Sequence, residues 1–169
     1  LAVKYGDFEV VETGWPKQDW IKTHWHDFDQ EREKLLREHG KKQIVLYAPT
    51  FSPSLTSLPA LKEALLHLVK MRDIVLLLKF HPLTRKEWID EYKQLAEQEE
   101  HIVWVDGFNV TNYQLMSDVM ISDTSSTVYE FLLLGRPVIT YRTIAKDIYW
   151  TDITDVTQLM EAFERAQYN

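Results

Sequence analysis

Residues 74–80 read Ile-Val-Leu-Leu-Leu-Lys-Phe, an almost unbroken apolar run. A strand with water on one face alternates apolar and polar side chains, so a strand apolar on both sides must be covered on both sides. A second run, Gln43 to Ala48 (QIVLYA), has the same character. Between them Ser57 to Met71 carries Leu58, Leu61, Leu65, Leu68 and Val69 at helical spacing. Strand, amphipathic helix and strand joined by short connections imply parallel pairing through right-handed crossovers.

The rest of the chain repeats this rhythm. A helix is predicted over Thr84–Gln98, a strand over Ile102–Val105, a short helix over Asn112–Met116 and a strand over Val119–Ile121. A helix over Ser125–Leu134 follows, which Gly135 is placed to end, then a strand over Pro137–Tyr141 and a closing helix over Val156–Gln167. The expected fold is α/β: a Rossmann-like, three-layer domain with a mostly parallel sheet of five or six strands. Residues 1–40 stand apart, with a strand end at Phe8–Val11, a turn at Thr13–Pro16 and a charged helix at Asp27–His39. Residues 1–40 therefore read as an inter-domain linker and N-terminal helical segment, and residues 41–169 as the Rossmann-like domain. Trp15, Trp20 and Trp25 are expected to pack on this domain or on a neighbour. A start at Leu1 suggests a piece of a longer protein.

Composition narrows the function. A net charge of −7 argues against a general nucleic-acid binder, whose phosphate contacts need a basic surface, but not against a small phosphorylated ligand. The absence of cysteine excludes disulfides and thiolate metal sites and agrees with a cytoplasmic compartment. No apolar stretch reaches membrane-spanning length. His24 and His26 lack a third nearby ligand, so no metal is expected, and no cofactor.

The chemistry is expected at the carboxyl ends of the strands, where open α/β sheets bind ligands. Val119–Ile121 breaks at Ser122-Asp123 and runs into Thr124, Ser125, Ser126 and Thr127, hydroxyl residues opening a helix. Such a turn gathers N–H groups and hydroxyls for an anion, although Asp123, Ser125 and Ser126 equally suit helix capping. The first strand ends at Ala48-Pro49-Thr50 and the second at Lys79-Phe80-His81-Pro82, so the three loops would share one edge. Lys79 and His81 project to the same side of an extended segment. His81 can donate to a phosphate oxygen or protonate a leaving phosphate, whereas the Lys79 stem can also run along the sheet surface. Glu130, about one and a half turns into the helix, is placed for ribose hydroxyls rather than phosphates, or simply faces solvent.

These segments also carry a family resemblance. Tyr47-Ala48-Pro49-Thr50, Lys79-Phe80-His81-Pro82, Ser117 through Ser126 and Gly135-Arg136-Pro137-Val138-Ile139 resemble the CDP-glycerol glycerophosphotransferases, the teichoic-acid glycerol-phosphate primases and polymerases and their capsule relatives. Thr13-Gly14-Trp15-Pro16-Lys17-Gln18-Asp19 is similar to the family's TG-x-P-x-x-D segment. The resemblance implies the C-terminal half of a GT-B enzyme that transfers glycerol phosphate from CDP-glycerol or a related donor to a hydroxyl acceptor, releasing CMP. It implies donor contacts from His81, Asp123, Ser125 and Ser126, with His81 catalytic and Glu130 on the ribose; Thr50, Lys79, Thr124 and Thr127, at the same loop ends, complete the expected donor-binding set. An N-terminal Rossmann-like partner domain would supply the general base, leaving this fragment inert alone. The acceptor would be lipid-linked or polymeric, with the full-length protein peripheral to the inner face of the cell membrane. The family often has Arg soon after the Ala48-Pro49-Thr50 element, where this chain has Phe51-Ser52-Pro53, and Thr124 stands where an aromatic is common. The alternatives are a UDP-sugar-dependent GT-B glycosyltransferase or epimerase domain and a non-catalytic nucleotide-binding module.

Overall fold

The computed structural model describes residues 11–107 and 109–167. Six parallel strands form one sheet in the order β3-β2-β1-β4-β5-β6: β1 Gln43–Tyr47, β2 Ile74–Leu78, β3 Ile102–Trp104, β4 Val119–Ser122, β5 Val138–Tyr141 and β6 Thr151–Ile153. The helices are α1 Pro16–Thr23, α2 Asp29–His39, α3 Leu58–Met71, α4 Lys86–Gln98, α5 Thr111–Met116, α6 Thr127–Leu132 and α7 Leu159–Ala166. A 3-10 turn, Val156–Gln158, leads into α7 behind a capping box formed by Asp155 and Gln158.

The apolar strands behave as their composition requires. Val45, Tyr47, Ile74, Leu76 and Leu78 face one layer with the apolar sides of α3, α4 and α7. Ile44, Leu46, Val75 and Leu77 face the other, with Leu115 of α5 and Val128 and Phe131 of α6. Successive residues thus enter opposite cores, the period of two expected of a strand covered twice. β1 pairs with both β2 and β4, and the chain runs outward from this pair in opposite directions. That reversal opens a crevice beyond the carboxyl ends of β1 and β4.

Two differences from the expected elements bear on the site. The helix expected from Ser125 begins at Thr127 and ends at Leu132, because residues 123–126 are spent on the turn out of β4 and the chain turns again at Gly135, φ +68°. Among the described residues before β1 there is one more helix than expected: Trp15-Pro16 opens α1, with Pro16 in its first turn, where a missing N–H costs nothing. Ile21 is buried in the α5–α6 layer, with Trp25, Phe28, Leu35 and Leu36 packed against it. Of the three clustered tryptophans, Trp25 therefore packs on this domain. The strand end expected at residues 8–11 lies, but for Val11, outside the described residues.

Two arginines fasten this layer. Arg32 of α2 forms a two-pronged pair with Asp118, 2.7 and 2.9 Å, and Asp118 also accepts the Ile44 N–H. Arg136 donates to the carbonyls of Gln114, Leu115 and Ser117 at the end of α5, beneath the ring of Trp25. Burial lowers its pKa, which the Asp118 carboxylate opposes. Arg136→Met strands those carbonyls and is expected to cost about 2 kcal/mol in urea denaturation. A loss under about 0.5 kcal/mol would show that solvent replaces them freely.

Candidate functional site

The three loops expected to share an edge do converge. A cleft of about 230 Å³ is lined by Pro49, Thr50 and Phe51 after β1, by Lys79, His81 and Pro82 after β2, and by Thr124 to Thr127 after β4. Val110, preceding α5, closes one side. Lys79 to Pro82 also form a wall of a second hollow of about 240 Å³, bounded by Trp104, Asp106 and Gly107.

Asp123 is placed differently from its expected donor-contact role. Its carboxylate is buried at 1% exposure, with both oxygens committed to the loop after β1. Oδ1 accepts the Thr50 N–H at 2.8 Å, and Oδ2 accepts the N–H and hydroxyl of Ser57, both at 2.7 Å. The Ser57 hydroxyl in turn meets the buried Tyr47 hydroxyl at 2.9 Å. Asp123 thus ties the β1 loop to the β4 loop and positions the cleft walls. Burial pushes its pKa up, against the opposing pull of these donors.

The other expected residues reach the cleft in different states. His81 Nδ1 accepts the Leu83 N–H at 3.1 Å, so in the neutral ring Nε2, on the opposite edge, carries the proton as a free donor. Its ring stacks on Phe51 with centroids 4.5 Å apart, which holds the imidazole plane. Lys79 is 6% exposed, and its ammonium donates to the Phe80 carbonyl at 3.2 Å. Burial lowers its pKa, and the Asp106 carboxylate partly restores it. A cation held here with one carbonyl partner retains donors for an anion.

Capping explains only part of the hydroxyl turn. Ser125 Oγ lies 2.8 Å from Thr127 Oγ1 and accepts the Thr127 N–H at a long 3.4 Å. Ser126 occupies the N-cap position, yet its side chain makes no cap bond. The Thr124 hydroxyl accepts the Ile144 N–H at 3.1 Å, tethering the β5–β6 loop. Glu130 lies one turn beyond Thr127 and pairs with Lys17. His24 stacks on Trp20 and His26 pairs with Asp29, and no cluster able to hold a metal occurs among the described residues. Sequence reasoning passed over Phe51, Ser57 and Lys17. Ser57 carried a signal, being a hydroxyl residue just before a helix, and Lys17 lay inside a motif that had no assigned task.

A family model described as CDP-glycerol:poly(glycerophosphate) glycerophosphotransferase matches residues 2–163. The chain belongs to this family of teichoic-acid transferases. It is 36% identical over 105 residues to the teichoic acid glycerol-phosphate primase of Bacillus spizizenii, covering 60% of this chain and 26% of that one. It is 32% identical over 143 residues to the teichoic acid ribitol-phosphate polymerase TarL of Staphylococcus aureus, covering 78% of this chain and 24% of that protein. The chain thus spans about a quarter of the length of these relatives. Among solved structures, the wall teichoic acid polymerase TagF matches with a TM-score of 0.66 at 21% identity, over 94% of this chain and 43% of TagF. The C-terminal CMP-Kdo binding domain of WaaA from Acinetobacter baumannii matches at 0.58 and 14% identity, over 84% of this chain and 90% of that domain. The chain therefore has the Rossmann-like fold that TagF and the CMP-Kdo binding domain share.

The buried clamp has a testable pH signature. Folding raises the Asp123 pKa, so its contribution to stability is fully present below the unfolded-state value and is lost as pH rises through the folded-state value. The stability margin of the native protein over Asp123→Asn is expected to narrow as pH rises through that window, read by urea denaturation across the acid range. A widening margin would contradict a carboxyl whose pKa burial raises.

Proposed function

We propose that this chain is the donor-binding, C-terminal half of a GT-B polyol-phosphate transferase, holding CDP-glycerol for transfer of glycerol phosphate to a hydroxyl acceptor. The observation that carries the reading is the meeting of His81, Lys79, Ser125 and Ser126 in one cleft at the sheet's switch point. These groups offer an ammonium, a ring N–H and hydroxyls, a donor set matched to a diphosphate and achieved within a chain of negative net charge. Glu130, one helical turn beyond Thr127, serves the ribose hydroxyls in this reading. Relatives named for glycerol phosphate and for ribitol phosphate favour a polyol over a sugar.

In the proposed reaction the acceptor oxygen attacks the phosphorus that bears glycerol, in line with the bridging oxygen. A new O–P bond forms, the bond to the bridging oxygen breaks, and the electron pair leaves with CMP. The acceptor proton passes to a base supplied outside this chain. Negative charge builds on the CMP phosphate, where Lys79, His81 Nε2–H and the Ser125 and Ser126 hydroxyls stabilise it. Such transfer depends on positioning and charge stabilisation, so the residues read here do half of the work and the fragment alone turns nothing over. Thr50 and Thr127 line the pocket, while Asp123 and Thr124 hold its loops. No helix among the described residues is long and apolar enough to cross a membrane. The proposed reading places the full-length protein at the inner membrane face beside a lipid-linked or polymeric acceptor.

Calorimetric titration with CDP-glycerol, CMP and UDP-N-acetylglucosamine tests this reading. CDP-glycerol and CMP are expected to bind, and Ser125→Ala/Ser126→Ala to lose at least about tenfold in affinity, the worth of one charge-assisted hydrogen bond. Preference for the UDP-sugar would move the chain to the glycosyltransferases, and unchanged affinity in the double variant would remove the hydroxyl turn from the site.

A further inference from the structure

The Thr13–Asp19 segment takes no part in lining the cleft, yet its geometry leads there. Gly14 adopts φ +73°, a backbone state that disfavours other residues, and Pro16 opens α1 directly after it. Ile21, 2% exposed, seats the helix in the layer that also receives Val128 and Phe131 of α6. This seating carries Lys17 across to α6, where Nζ donates to Glu130 Oε2 at 2.5 Å.

Glu130 lies three residues after Thr127, on the same helical face, and Thr127 lines the cleft. Its side chain is 17% exposed and can be reached from solvent. Lys17 occupies Oε2, whereas Oε1 accepts no hydrogen bond among the described residues. A glutamate fixed through one oxygen presents the other in a defined direction, without the rotamer freedom that ligand binding would otherwise have to remove.

We propose that Lys17 is a positioning residue that holds the Glu130 carboxylate, one helical turn beyond the cleft-lining Thr127, to accept hydrogen bonds from the ribose hydroxyls of the nucleotide donor. The inference rests on the nucleotide-donor reading above and gives the Thr13–Asp19 segment a task in substrate selection. Lys17 touches no substrate itself. Both side chains are largely buried, 32% and 17% exposed, so Lys17→Met is expected to cost some stability, and comparing two nucleotides on the same folded variant cancels that loss.

The test compares CMP with 2′,3′-dideoxy-CMP, by calorimetry, on the native chain, Lys17→Met, Lys17→Arg, Glu130→Gln and Ser125→Ala/Ser126→Ala, each checked by thermal unfolding. The native chain is expected to prefer CMP by at least about tenfold, since the lost bonds are to a charged acceptor. Lys17→Met is expected to shrink that preference to within about threefold while affinity for the dideoxy nucleotide stays unchanged. Lys17→Arg restores it, and Glu130→Gln lowers it in the same way. A Lys17→Met variant that keeps the full preference overturns the inference, as does one that weakens both nucleotides equally. If the double serine variant still loses at least about tenfold in CMP affinity in that case, the donor-site reading stands without it. Failure of the native chain to bind either nucleotide overturns both.

Discussion

The carboxylate of Asp123 holds together two loops that no strand pairing connects. It leaves the end of β4 and accepts the backbone of Thr50 and Ser57, the two ends of the loop between β1 and α3. Ser57 adds its hydroxyl, and Tyr47, buried in the first strand, backs that hydroxyl from the core. Burying a carboxylate is costly unless its lone pairs are filled, and here three donors fill them. The reward is geometric. With these loops locked, Phe51 stands where it can stack on His81, and the hydroxyl turn faces the exit of β2.

The cleft is therefore divided between groups that are spent and groups that are kept. Asp123, Ser57, Ser122 and the Thr124 hydroxyl are consumed in holding loops, with Ser122 donating to the Ala48 carbonyl at 2.7 Å. His81 keeps Nε2, Ser126 keeps its hydroxyl, and Lys79 keeps most of its donors. Buried polar groups that satisfy one another rigidify a site, whereas those left free are where a ligand earns its affinity. That division favours a ligand rich in acceptors, as a diphosphate is.

Much of this was legible in the sequence, for identifiable reasons. Strands covered on both faces must be apolar throughout, so β1 and β2 stood out, and with them the parallel sheet and the edge at which the three loops meet. The edge strand β6, Thr151–Ile153, carries Thr and Asp in three residues and was not foreseen as a strand. Helix α1 hid behind Trp15-Pro16, since proline serves a turn and a helix start equally well. The type of residue at 123 was informative but the direction of its side chain was not. A carboxylate beside a phosphate-like turn can face the ligand or the neighbouring loop, and only the fold brings Ser57 within reach. The Lys17–Glu130 pair spans more than a hundred positions, beyond any local pattern.

The most direct measurement is a crystal structure of the chain soaked with CDP-glycerol. The account expects the diphosphate within hydrogen-bonding distance of Ser125 or Ser126 Oγ and His81 Nε2, with the Asp123 carboxylate still bound to Thr50 and Ser57. A nucleotide seated away from the β1–β2–β4 edge, or one that draws Asp123 off its loop, would contradict it.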